Sequence, residues 1–405
     1  MRAMGSTSSG LKFPAVLSMT LVATSLGCGA CTDERAHDPI ASPPAAPAVS
    51  APALVAAHAE LRARCTGGLV PPAQAYASVT EIPGLSDGLV FMHDINDDGV
   101  AVGSAQMKGG GYHGIRYTDL GGVQDLGALP GFGAQSYAAA IAPDGAIGGH
   151  SDRGDGTGAL FGYRYTASGG RVDVCPGGCS VWDLNAAGQV VGLLLGRDTS
   201  TWQAFVWSQA TGLQALGTLG GARSSASGIS ESGLVVGNAQ LTGSATDDVG
   251  HAFIYDSRAG HPALEDLNAR ARTPGWVLRG ANDVNDKFVV GYGLHEGRSR
   301  AFRLSLASGQ VDDLGTLGTG ASVGWAVDGA GDVVGWVAKD AHTNVAIVYG
   351  AGLDGLHALD ELVDPSEGWQ LEQANGINNH GAIVGMATHH GQPVGFKLTL
   401  PLCGQ

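Results

Sequence analysis

The sequence predicts an all-β fold: a seven-bladed β-propeller of four-stranded antiparallel blades, its ring closed by an N-terminal strand that completes the last blade. Three observations predict it. The composition is dense in turn formers, a two-strand kernel recurs seven times, and two further strand signals lie between kernels. Of 405 residues, 66 are glycine, 44% are hydrophobic and 15% are charged. Such a chain is too apolar to be disordered and too rich in glycine to be helical.

Residues 1–28 read as an export signal. Arg2 and Lys12 precede an uncharged, mostly apolar run at residues 13–26, which is too short to span a bilayer. Ser25-Leu26-Gly27-Cys28 is similar to a bacterial lipobox, with Ser25 where Leu is usual and Cys28 as the residue that would carry lipid. Ordinary cleavage within residues 27–31, releasing a soluble protein, is the other reading. Either route exports the protein, as an outer-membrane lipoprotein or as an extracellular or periplasmic protein, and the membrane is reached only through a lipid anchor. Residues 29–69 form a Pro/Ala-rich tether and lead-in, whose ASPPAAPAVSAPA segment lacks side chains large enough to pack. Residues 70–405 hold the repeats, about 48 residues to each of seven units.

The kernels are DINDDGVAVG (94–103), AIAPDGAIGG (140–149), DLNAAGQVVG (183–192), GISESGLVVG (228–237), DVNDKFVVG (283–291), AVDGAGDVVG (326–335) and GINNHGAIVG (376–385). Each reads as two short strands around a turn that Asn, Asp or Ser opens and Gly closes. The fifth lacks that Gly, so its turn is expected to be one residue shorter. An aromatic strand follows each kernel, as in HGIRY (113–117), QAFVW (203–207) and HAFIY (251–255), with the alternation of a half-buried strand. A fourth strand ends in a Leu-Gly or Leu-Asn step, as in QDLGALPG (124–131), LEDLNA (264–269) and DDLGTLG (312–318). Within LGTLGGARSSASGI, residues 220–224 are expected to connect blades and residues 225–229 to form the inner strand. The last unit has no fourth strand of its own, and SVTEIPGLSD (78–87) is expected to supply it and to remove both sheet edges.

LGTLGGARSSASGISESGLVVG (216–237) followed by HAFIY, together with GWQLEQANGINNHGAIVG (368–385), resembles the HAF family of bacterial extracellular repeats over about residues 76–400. The resemblance implies an exported repeat protein and no defined activity.

Ring closure would bring Cys65 and Cys403 within loop reach, and CPGGC would let Cys175 and Cys179 close on each other; export makes disulfides the first reading of both pairs. Zinc is the alternative for CPGGC. Asp94, Asn96 and Asp98 match the start of a calcium loop, yet the same place in other units is a hairpin turn, so no metal is assigned. Asp94, Asp183 and Asp283 occupy equivalent positions and would form an acidic collar at one channel mouth, unless each accepts a backbone hydrogen bond beside its turn. His295, His342, His389 and His390 fall in loops after second strands, where imidazoles serve metal binding or acid–base work or are simply solvated. His251 reads as a strand-end polar residue. Of seven tryptophans, Trp207, Trp276 and Trp369 sit at repeat positions and read as packing, and Trp202 and Trp336, in or beside face loops, are the better candidate ligand contacts.

A net charge of -15, with 22 Lys and Arg against 37 Asp and Glu, excludes a nucleic-acid partner. The chain carries no GxGxxG before a helix, no GxSxG elbow and no nameable carboxylate pair, so no cofactor and no catalytic residue are assigned. The expected function is that of a monomeric binding or scaffold protein for an unidentified protein or glycan, with an extracellular polysaccharide hydrolase or lyase as the alternative.

Overall fold

The computed structural model describes residues 76–128, 135–152, 160–175, 177–195, 201–244, 250–260, 262–340 and 343–400. Strand dominates them, with three short 3-10 helices among the described residues. Val90–Ile95 pairs with Ala101–Gln106, that strand with Tyr112–Thr118, and that one with Gly122–Asp125, all antiparallel. The succession then repeats. Five sheets have four strands and one has eight, and the larger divides at a single parallel bridge, Trp202 to Arg223, into two antiparallel sets of four. The final set, Trp369–Ile377, Ala382–His389 and Gln392–Thr399, takes its fourth strand from the opposite end of the chain. Ser78–Ile82 pairs antiparallel with Gln392–Thr399.

The first strand of each set touches the first strand of the next, and Trp369–Ile377 touches Val90–Ile95. The core lies between sets rather than in one central mass. The fully buried rings of the third strands fill it: Phe253 packs with Val191 and Ala204 of the preceding set, Phe302 with Val236 and Ile254, and Phe396 with Val334 and Val348. A chain with few aromatics can build this core because each ring serves two sheets.

Every first strand carries a bulge, between Met92 and Asp94 in the first set and at the same place in the other six. Opposite it lies the glycine that ends each kernel. A Cβ on Gly103, Gly149, Gly192, Gly237, Gly291, Gly335 or Gly385 would overlap the carbonyl oxygen of the bulged strand. This overlap explains the recurring Val-Val-Gly.

The turns behave as the sequence predicts. Asn96 N–H donates to the Val100 carbonyl at 3.1 Å, whereas Asn285 N–H reaches the nearer Phe288 carbonyl at 3.0 Å, closing a turn one residue shorter. One boundary differs from expectation. Residues 220–224 belong to the strand Gly220–Ile229, because Gly220 pairs with Leu241 and Ser224 with Ala239.

Buried serines join consecutive sets. Ser136 Oγ donates to the Gly127 carbonyl at 2.6 Å and accepts from Gly114 N–H at 3.0 Å. Ser322 repeats this with Gly315 and Ala301 at 2.6 and 2.9 Å, and Ser224 does so with Gly217 and Ala204. Between the second and third sets the expected disulfide, Cys175 to Cys179, takes the same place. Cys175 occupies the position of Gly127 and Cys179 that of Ser136, so a covalent link replaces a hydrogen bond.

Candidate functional site

The three aspartates of the expected collar all join sheets. Asp94 Oδ1 accepts from Ile95 N–H at 2.7 Å and its Oδ2 from Ile141 N–H of the next set at 2.8 Å. Asp183 holds Leu184 and Ile229 in the same way, both at 2.7 Å, and Asp283 holds Val284 and Val327 at 2.7 and 2.8 Å. The asparagine two residues on adds a second link: the Nδ2 groups of Asn96, Asn185 and Asn285 donate to the carbonyls of Ala142, Ser230 and Asp328. Each D-x-N is therefore a clamp. It leads from the first, third and fifth sets onto the second, fourth and sixth.

Burial raises the pKa of all three carboxyls, that of Asp283 to about 6 and that of Asp183 well above the ordinary range, where the charges of Asp283 and Asp94 add to the effect. In the calcium-like loop Asn96 Oδ1 is taken by Val100 N–H at 3.1 Å and Asp98 lies exposed. Among the described residues no group of three or more His, Cys, Asp or Glu is placed to hold a metal ion.

His295 and His389, expected in loops, instead end the strands Phe288–His295 and Ala382–His389. The His295 Nδ1 lies 2.7 Å from Asp313 Oδ2, and its ring stacks on Trp276 with centroids 4.6 Å apart. The His389 Nδ1 lies 2.7 Å from Glu81 Oε2, its Nε2 is 3.1 Å from the Glu367 carbonyl, and its ring stacks on Trp369 at 3.9 Å. His390 follows in the turn, its ring 4.2 Å from that of His389. His113 and His251 pair with Asp125 and Asp266 at 2.9 and 2.7 Å. These carboxylates also accept from the chain leaving their own strand, Asp125 from Gly127 N–H at 2.7 Å and Asp313 from Gly315 N–H at 2.8 Å. The pairs pin fourth strands to their sheets. They lie on different sets and do not meet at one centre.

Trp202 begins the strand Trp202–Ser208, with the Arg223 guanidinium 4.0 Å above its ring. Trp336 is only 6% exposed and packs with Tyr292 and Val323, so it serves the core. Trp207 is buried in the core as well. His342, Cys28, Cys65 and Cys403 lie outside the described residues.

Sequence reasoning missed a cluster of rings beside the first strands of the first three sets. Phe91, Tyr112, Tyr137, His150 and Trp182 follow one another with centroid separations of 6.0, 5.9, 5.1 and 5.6 Å. His93 and Trp182 are the residues set out by the bulges of the first and third sets. The Nε2 of His93 lies 3.3 Å from Ser104 Oγ, and the Tyr137 hydroxyl donates to Gln135 Oε1 at 3.3 Å. Burial pushes His93 and His150 down to about 4, and the charge of His150 adds to the effect on His93. Burial also pushes Tyr137 up to about 12, with Tyr112 and Asp152 adding. Both imidazoles are therefore neutral, and Tyr137 is protonated, near pH 7. The buried Nδ1 of His150 has no hydrogen-bond partner. The available signal was the residue after each kernel glycine, which is Ser104, Leu193, Asn238, Tyr292, Trp336 or Met386 in the other units and an imidazole here.

No protein-family model matches the chain, and no curated protein matches it. Solved structures do. The chain is similar to the β-propeller domain of the Trilobed protease from Pyrococcus furiosus, at 9% identity and a TM-score of 0.50 over 78% of this chain and 97% of that one. It is also similar to an oligogalacturonate lyase in complex with manganese, at 14% identity and a TM-score of 0.51 over 80% of this chain and 93% of that one. The chain has a β-propeller fold. At these identities the likeness carries the fold and leaves the chemistry to the residues of this chain.

Proposed function

We propose that the chain is an exported HAF-type repeat protein, lipidated at Cys28, whose seven sets form a closed propeller ring that binds a glycan or protein partner at the cell surface. The ring reading is supported by repetition of ordinary contacts at the seam. Asn378 and Asn375 of the last set donate to the Asn96 and Met92 carbonyls of the first, both at 2.9 Å. The ammonium of Lys397 reaches the Gly99 carbonyl as the Arg303 guanidinium reaches Gly331, each from a third strand to the next turn.

The binding reading rests on one observation. The buried aspartates give both carboxylate oxygens to backbone donors, and the edge histidines hold carboxylates of their own sheets, so these acids and bases join strands. Incubating the full chain with cell-surface and environmental polysaccharides tests it, with retained protein and newly released reducing or unsaturated ends recorded together. Retention without release is expected; release would show an enzyme instead. Cys28→Ser is expected to move the protein from the membrane fraction to the soluble one.

A further inference from the structure

We propose that the ring cluster across the first three sets is a binding site for an uncharged saccharide, a specification that rests on the binding reading above. Sugars are held by aromatic faces against their C–H surfaces and by neutral donors and acceptors for their hydroxyls. The cluster offers both, since Tyr112, Tyr137 and Trp182 are half-buried and the His150 Nδ1 is buried with no hydrogen-bond partner. A hydroxyl both donates and accepts, so it matches either tautomer of the ring. A saccharide hydroxyl would complete it.

The same place between the fifth and sixth sets marks the contrast. There Tyr292 follows the kernel glycine and packs with Val323, Trp325 and Trp336 in an apolar cluster, so a histidine is not what interblade packing requires. Charge selects the sugar class. Asp152 Oδ1 accepts from the N–H of Gln135 at 3.2 Å, and the Gln135 side chain takes the Tyr137 hydroxyl at 3.3 Å, so a uronate would meet a carboxylate beside the rings and an uncharged sugar would not be repelled.

Calorimetric titration of the full chain with cellohexaose, laminarihexaose, xylohexaose, mannohexaose and chitohexaose, with trigalacturonate as the anionic comparison, tests the site. At least one neutral hexasaccharide is expected to bind and to change tryptophan fluorescence. His150→Phe, and the milder Tyr137→Phe that removes only a hydroxyl, are each expected to weaken binding at least tenfold with thermal unfolding retained, whereas Tyr292→Phe leaves it unchanged. Absence of binding by the folded chain to every neutral sugar of the panel, or preference for trigalacturonate, overturns the site. Polysaccharide retention that survives both variants overturns the site but keeps the binding reading, while release of sugar ends overturns that reading itself.

Discussion

Gly237 shows how a single hydrogen atom can be a structural requirement. Its missing Cβ leaves room for the Ser225 carbonyl, which the bulge of Gly220–Ile229 pushes across the sheet. Gly237→Ala forces the two strands apart and is expected to cost about 1 to 3 kcal/mol in chemical denaturation. The buried carboxyls set a pH dependence. Asp283 has its pKa raised from 3.8 to about 6 by burial, and those of Asp94 and Asp183 are raised as well. In the folded state these groups bind protons at a higher pH than in the unfolded chain. They therefore add stability as pH falls from about 6 towards 4, and that stability is lost as pH rises through about 6. Scanning calorimetry should place the unfolding midpoint roughly 3 to 5 °C higher at pH 5 than at pH 8. Asp283→Asn should reduce that difference, and a midpoint unchanged or higher at pH 8 would contradict the assignment.

At the scale of strands, the links between sets are interchangeable in place but not in chemistry. Ser322→Ala leaves the Gly315 carbonyl and the buried Ala301 N–H without this partner, at an expected cost of about 1 to 3 kcal/mol. Cys175 and Cys179 occupy the corresponding place, so reductant should lower the midpoint of the native chain. The double variant Cys175→Gly, Cys179→Ser restores the serine link found elsewhere in the chain. It is expected to fold and to lose sensitivity to reductant, and failure to fold would show that the disulfide does more than replace that bond. The histidine pairs act at the same scale, and they explain why positions that read as loops are strand ends. An imidazole ending the second strand reaches across the third to a carboxylate on the fourth and adds one more link to the sheet.

For the whole molecule the lead strand matters most. Ser78–Ile82 covers the edge of Gln392–Thr399 and supplies Glu81 to His389. Deleting residues 78–82 exposes a row of unpaired backbone groups, which recruits other chains. Size-exclusion chromatography is expected to show oligomers or aggregates of the deletion variant beside a monomeric full chain. A monomeric deletion variant with native stability would contradict the strand's part in protecting that edge.

The sequence by itself determined the all-β class, the sheets of four strands, the shortened fifth turn, the pairing of Cys175 with Cys179 and the strand borrowed from the N-terminal side. Each follows from local periodicity or from a repeat counted along the chain, and both are written in neighbouring residues. The resemblance to HAF repeats and the proposals of export and of a lipid on Cys28 also come from the sequence, and their tests are biochemical. Tertiary structure alone decided the rest. Asp94 reaches Ile141 and Trp182 meets His150 from one sheet to the next, and Glu81 meets His389 within a sheet whose strands are hundreds of residues apart. Whether an aspartate is a metal ligand or a clamp depends on which backbone donors the neighbouring sheet brings to it, and whether a histidine is solvated or stacked depends on which ring strand register places opposite it. Those proximities are properties of register and sheet packing, and composition along a repeat does not state them.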